Sequence, residues 1–157
     1  MAKSFKFAFE KVLAHRRMLE QEAQRVLNEA LSILNRETRV LEEMRQKRHE
    51  AFESRFQRQV QGGTAGEALS QVHEYLKGQD LRIEGQVKRI QEFEKQVEEL
   101  RSVLRQRAVD TKIIERLKER KQEEFRIEQN KLEQKRLDDM TMTRFRSKDA
   151  TDEENGI

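Results

Sequence analysis

Three histidines, His15, His49 and His73, are the side chains best suited to metal binding or proton transfer in a chain that has no cysteine. They are isolated from one another, no HExxH pattern occurs, and none has a second histidine at ligand spacing, so surface or seam-edge positions are expected for all three. Gly62-Gly63-Thr64-Ala65-Gly66-Glu67 has the glycine content of a phosphate loop. It lacks the Gly-Lys-Ser/Thr ending and has no strand before it, which makes a bend between helices the better reading. Carboxylates are plentiful, but a catalytic pair needs a pocket that desolvates it and splits its pKa values. The sequence therefore offers no catalytic residue, no cofactor-binding residue and no metal ligand set, and a non-enzyme is expected.

The elements that position these side chains follow from composition. Charged residues make up 40% of the 157 positions and the hydrophobic class 34%, too little for an apolar core of globular type. There is no proline and only six glycines, and the rest is rich in Glu, Gln, Arg, Lys and Leu, which lose little side-chain freedom in a helix. Long helices are predicted. The absence of cysteine excludes a disulfide framework, and the longest apolar runs, two or three residues, are far below the roughly 20 needed to cross a bilayer. No apolar targeting segment follows the amino terminus, so a soluble cytoplasmic protein is the expectation.

From Phe9 the apolar residues recur at intervals of three and four: Phe9, Val12, Leu19, Ala23, Val26, Ala30, Ile33, Val40, Met44 and Ala51, with Arg16, Glu37 and Lys47 in the intervening seam positions. Leu13, Leu27, Leu31, Leu34, Leu41 and Phe52 flank this seam. The spacing predicts one amphipathic helix over residues 4–60. A bend is expected at 61–67, where Gly62 and Gly63 can take the left-handed conformation that ends a helix and Gly66 adds freedom. Thr64 and Glu67 have the spacing of a capping box for the helix that follows.

The second helix is predicted over residues 68–141, with Leu69, Val72, Leu76, Ile83, Ile90, Phe93, Val97, Leu100, Leu104 and Ile114 in its seam and Gln79, Gln86, Arg107, Thr111 and Lys118 between them. A register slip is expected after Leu104, because Ala108, Leu117, Phe125, Leu132, Leu137 and Met140 lie on another phase. Gly78 and Gly85 can admit a close partner backbone or be tolerated flexibility. Residues 142–157 read as a flexible tail.

Two long helices joined by a short bend give an all-α fold, an antiparallel two-helix coiled-coil hairpin with a flexible C-terminal tail. If the bend centres on Thr64, residue i faces roughly residue 128 minus i, which sets Leu41 near Val87 and Val26 near Ser102. At about 1.5 Å per residue the helices are about 85 Å and 115 Å long, so the second overhangs the first after Phe125 and offers an unpaired apolar side for docking. Charge is uneven: residues 1–60 carry 13 basic and 9 acidic groups, residues 61–100 carry 5 and 8, and residues 101–148 carry 15 and 9. The two terminal stretches are thus basic and the bend half acidic. Basic and acidic residues alternate too closely for a nucleic-acid face or a basic membrane-surface helix, so no nucleic acid is expected and membrane association is expected only through partners.

The ends say more. Phe5-Lys6-Phe7-Ala8-Phe9-Glu10-Lys11-Val12-Leu13, followed by Glu20-Gln21-Glu22-Ala23-Gln24, resembles the opening of the FliJ family of bacterial flagellar (type III) export proteins, and Glu133-Gln134-Lys135-Arg136-Leu137-Asp138-Asp139-Met140 resembles its closing signature. The resemblance implies a hairpin similar to the stalk part of the gamma subunit of rotary ATP synthases. It further implies a cytoplasmic protein at the flagellar base that sits in the central pore of the hexameric export ATPase, promotes its assembly and activity, and contacts the export gate membrane protein and substrate chaperones. Position by position, Phe5, Phe7, Phe9, Leu13, Glu22 and Ala23 match the opening motif and Glu133, Gln134, Leu137 and Asp138 the closing one, as residues for the ATPase end. The alternatives left open are a homodimeric coiled-coil scaffold built from the same seams, against which Gly62, Gly63 and Gly66 argue, and a nucleic-acid-binding rod.

Overall fold

The computed structural model describes residues 4–62 and 66–154, and side chains as far as residue 146. Two helices are present, α1 (Glu10–Val60) and α2 (Gly66–Glu154), and no strand occurs among the described residues. The chain divides into two compact units, Met18–Ala108 and Met1–Arg17 with Val109–Ile157. Each unit contains a stretch of α1 packed on a stretch of α2.

Local chemistry explains the helix ends. Glu10 and Glu67 place a carboxylate in the first turn of each helix, where the dipole is positive, and Arg58 places a cation in the last turn of α1. Gly62 has φ +68°, the left-handed region that suits glycine, and its N–H donates to the Gln59 carbonyl at 3.3 Å to close α1. Gly63 and Thr64, the other half of the expected bend and capping box, lie outside the described residues, while Gly66 and Glu67 already belong to α2. Residues 4–9, expected as the first turns of α1, precede it, and a turn from Phe7 to Glu10 leads into the helix. At the other end, α2 continues past the expected stop at Thr141 as far as Glu154. No proline or glycine interrupts that stretch, and the Thr141 and Thr143 hydroxyls donate to the Leu137 and Asp139 carbonyls one turn back, each at 2.8 Å.

The core is a narrow seam. Its most buried apolar members are Leu13, Leu27 and Leu41 on α1 and Leu76, Ile90 and Val97 on α2. On α2 all the expected seam positions from Leu69 to Lys118 are buried or half-buried, including the polar Gln79, Gln86 and Thr111. The phase therefore persists to Lys118 instead of slipping after Leu104, and Ala108 and Leu117 are half-buried beside it. On α1 the deepest burial lies one residue away from part of the expected seam, where Leu19, Val26 and Val40 are half-buried. Leu13, Leu27 and Leu41, read as flanking, are buried, whereas Val12 (41%) and Ile33 (38%) remain exposed. The observed column runs Leu13, Glu20, Leu27, Leu34, Leu41, Arg48 and Arg55 at multiples of seven, alternating with Arg16, Ala23, Ala30, Glu37, Met44 and Ala51.

Cross-helix pairs fix the register. Residue numbers total 128 for Glu10–Lys118 and for Arg48–Asp80, 126 for Arg16–Asp110, 132 for Arg17–Glu115 and 123 for Glu37–Gln86. All scatter around the expected 128, and each pair lies within one unit. Both seams are thus occupied within one chain, as the antiparallel hairpin requires.

Candidate partner-binding site

The amino-terminal strap, residues 4–9, alternates half-buried Phe5 and Phe7 with exposed Lys6 and Ala8, the periodicity of an extended segment lying on a surface. The Phe5 ring lies 5.7 Å from that of Phe125, and the Phe7 and Phe9 rings meet edge to face at 5.8 Å. Between strap and α2 is a cleft of about 420 Å³ lined by Phe5, Phe7, Phe9, Leu117, Lys121 and Phe125, among others. Just inside it Glu10 meets Lys118 at 2.8 Å, Arg16 meets Asp110 at 3.2 Å, and Arg17 donates through two nitrogens to Glu115 at 3.0 and 3.2 Å.

The residues expected to bind a partner have different environments. Phe5, Phe7 and Phe9 share the aromatic cleft, but Leu13 is fully buried and is a core residue. Glu22 is exposed and accepts from Arg25 at 2.6 and 3.1 Å, which holds its carboxyl below the usual range through hydrogen bonding first and charge second. Ala23 is half-buried and lines a shallow groove with Leu19, Val26, Leu100 and Val103. Glu133, Gln134, Leu137 and Asp138 are all exposed, and none of them lines the aromatic cleft, whose α2 wall ends at Glu128. Phe125 is the site residue that the motifs left out. Its signal was its near-register position opposite Phe5, in a chain with only eight phenylalanines.

His15, His49 and His73 are exposed, and no group of three or more candidate ligands gathers among the described residues. No helix among the described residues is long and apolar enough to cross a membrane. Buried polar groups belong to the seam: the Gln86 amide donates to the Glu37 carboxylate at 2.7 Å and to its backbone carbonyl at 3.1 Å, and Arg89 approaches the same carboxylate at 3.4 Å. Gly78 and Gly85 face open space, with nothing within 4 Å of an added Cβ.

The sequence matches the profile of the flagellar FliJ protein family over residues 5–150. The chain belongs to the FliJ family. No curated protein and no solved structure matches it. Membership makes it a protein of flagellar export, and the family is a non-enzymatic component of that apparatus. The match takes in Phe5–Phe9 and Glu133–Met140, both outside the stretch of α2 that the seam covers.

Proposed function

We propose that this FliJ-family chain is the stalk of the export ATPase: its terminal end enters the central pore of the hexameric ring and promotes ring assembly and activity. The acidic bend half then reaches the export gate and substrate chaperones at the cytoplasmic face of the flagellar base. The observation that carries this reading is the exposed stretch of α2 after Asn130, where Leu132, Leu137, Met140, Met142 and Phe145 all face solvent. With successive residues turned by about 100°, they fall at about 0°, 140°, 80°, 280° and 220° around the axis, so that no single face collects them. A helix made for a groove shows its apolar residues on one side, whereas a helix made for an enclosing bore shows them all round.

The test is stimulation of the partner ATPase by the full chain and by a Gln134→Ala, Leu137→Ala, Asp138→Ala variant. All three side chains are exposed, so helicity by circular dichroism should be unchanged while stimulation falls. Undiminished stimulation would remove this end from the interface.

A further inference from the structure

Each helix also carries a charged face turned away from the seam. On α2, Val109, Lys112, Ile113, Arg116, Arg120 and Ile127 are all exposed and fall within an arc of about 100° opposite Thr111, Ile114 and Lys118. The one acid inside that arc, Glu123, is engaged by Arg126 at 2.6 and 2.9 Å. On α1, Glu42, Glu50, Glu53, Phe56 and Val60 are exposed within an arc of about 120° that contains no lysine or arginine over residues 42–60, and Gln46 within it donates to Glu50 at 3.1 Å. The two stripes are comparable in length, each has β-branched or aromatic side chains among its charges, and their signs are opposite.

We infer that these stripes are the two halves of a self-association surface, the cationic stripe of α2 in one molecule docking on the acidic stripe of α1 in a second copy. The apolar members, Val109, Ile113 and Ile127 against Phe56 and Val60, leave water together, while Lys112, Arg116 and Arg120 meet Glu42, Glu50 and Glu53. Exposed charge pairs contribute weakly one by one and are screened by salt, so the association is weak, reversible and sensitive to ionic strength. It uses neither seam and leaves the strap and the end of α2 open.

The experiment is sedimentation velocity of the full chain over a wide range of loading concentrations, in low salt and at about 1 M, where the screening length falls to about 3 Å. The expected result is a sedimentation coefficient that rises with concentration in low salt only. Lys112→Glu with Arg116→Glu and Arg120→Glu should raise the apparent Kd at least tenfold, as should Glu42→Lys with Glu50→Lys and Glu53→Lys. An equimolar mixture of the two variants should associate again. Monomeric behaviour of the wild type at every concentration in low salt would overturn the proposal, and so would undiminished association of either variant. Binding to phosphatidylglycerol vesicles through Lys112, Arg116 and Arg120 by an otherwise monomeric chain would assign the stripe to a lipid surface and overturn it equally.

Discussion

Between Leu69 and Lys118, α2 is covered at every third or fourth residue, and three of its most covered positions are polar: Gln79, Gln86 and Thr111. Between Asn130 and Arg146 nothing is covered, although Leu132, Leu137, Met140, Met142 and Phe145 lie there. Burial in this chain is therefore decided less by apolarity than by where α1 reaches. α1 begins at Glu10, whose partner is Lys118, and the strap carries the pairing only a little further, to Phe5 on Phe125. Past that point the same helix keeps apolar side chains that no part of the described chain uses. The first stretch is stabilised from within, and the second is left uncovered by the described chain.

The sharpest way to break this comparison is to truncate one leucine in each stretch. Leu13→Ala removes a side chain with no exposed surface and should destabilise by about 2–5 kcal/mol in thermal or denaturant unfolding. Leu137→Ala, at 58% exposure, should change stability by less than about 0.5 kcal/mol and reduce ATPase stimulation instead. Equal losses of stability would mean that the end of α2 is packed in solution and that the contrast is false.

A smaller effect is expected where the covered stretch holds polar groups. Glu37→Ala removes the carboxylate that accepts from buried Gln86 and leaves that amide only the Glu37 backbone carbonyl, at a cost of about 1–2 kcal/mol. Glu133→Ala, on the uncovered stretch, should be neutral in the same melt.

The sequence was most legible on α2, where Leu69, Leu76, Ile83, Ile90, Val97 and Leu104 in one seam column alternate with Val72, Phe93, Leu100 and Ile114 in the other. Its seam is read correctly as far as Lys118, because Gln79, Gln86 and Thr111 fill gaps too short to break the heptad. α1 was less legible because its apolar stripe is two columns wide. Of the column Val12, Leu19, Val26, Ile33 and Val40, the structure leaves Val12 and Ile33 exposed and the rest half-buried, and it covers most fully Leu13, Leu27 and Leu41 in the neighbouring column, which also holds half-buried Glu20, Arg48 and Arg55. Arg48 is tolerated there because Asp80 on α2 meets it, a pairing that appears only once the register is known. Of the candidate site, the opening motif picks out Phe5, Phe7 and Phe9, which line the aromatic cleft. Leu13, in the same motif, packs in the core, and the alternation of Phe5 and Phe7 with Lys6 is the sequence's sign that the residues before the turn at Phe7–Glu10 are not helical.

The glycines sharpen the contrast between stretches that bend and stretches that run straight. Gly62→Ala forces a β-carbon into the left-handed region and should destabilise by about 1–2 kcal/mol. Gly85→Ala, in open space inside α2, should stabilise by about 0.4–1 kcal/mol, chiefly by narrowing the unfolded ensemble. Opposite shifts of melting temperature are the expected outcome, and a loss at Gly85 would point to a backbone approach that the open surroundings do not provide.

The smallest expected effect is a pH dependence that separates cross-helix from local ion pairs. Asp80 accepts from Arg48 on the other helix, and that hydrogen bond, followed by the guanidinium charge, holds its carboxyl below the usual carboxylate range. A carboxyl lowered in the folded state binds its proton less readily there than in the unfolded chain. Its contribution is therefore complete above the ordinary Asp value and disappears as pH falls through the lowered one. Asp80→Asn should melt below the wild type at neutral pH, and the two curves should converge in acid. Glu123 is lowered in the same direction by Arg126, but its partner lies three residues away on the same helix, so the pair needs only local helix and no packing against α1. Glu123→Gln should consequently show a weaker convergence than Asp80→Asn. Indistinguishable pH profiles would mean that Arg48 and Asp80 do not meet across the helices in solution and that the register there rests on the seam alone.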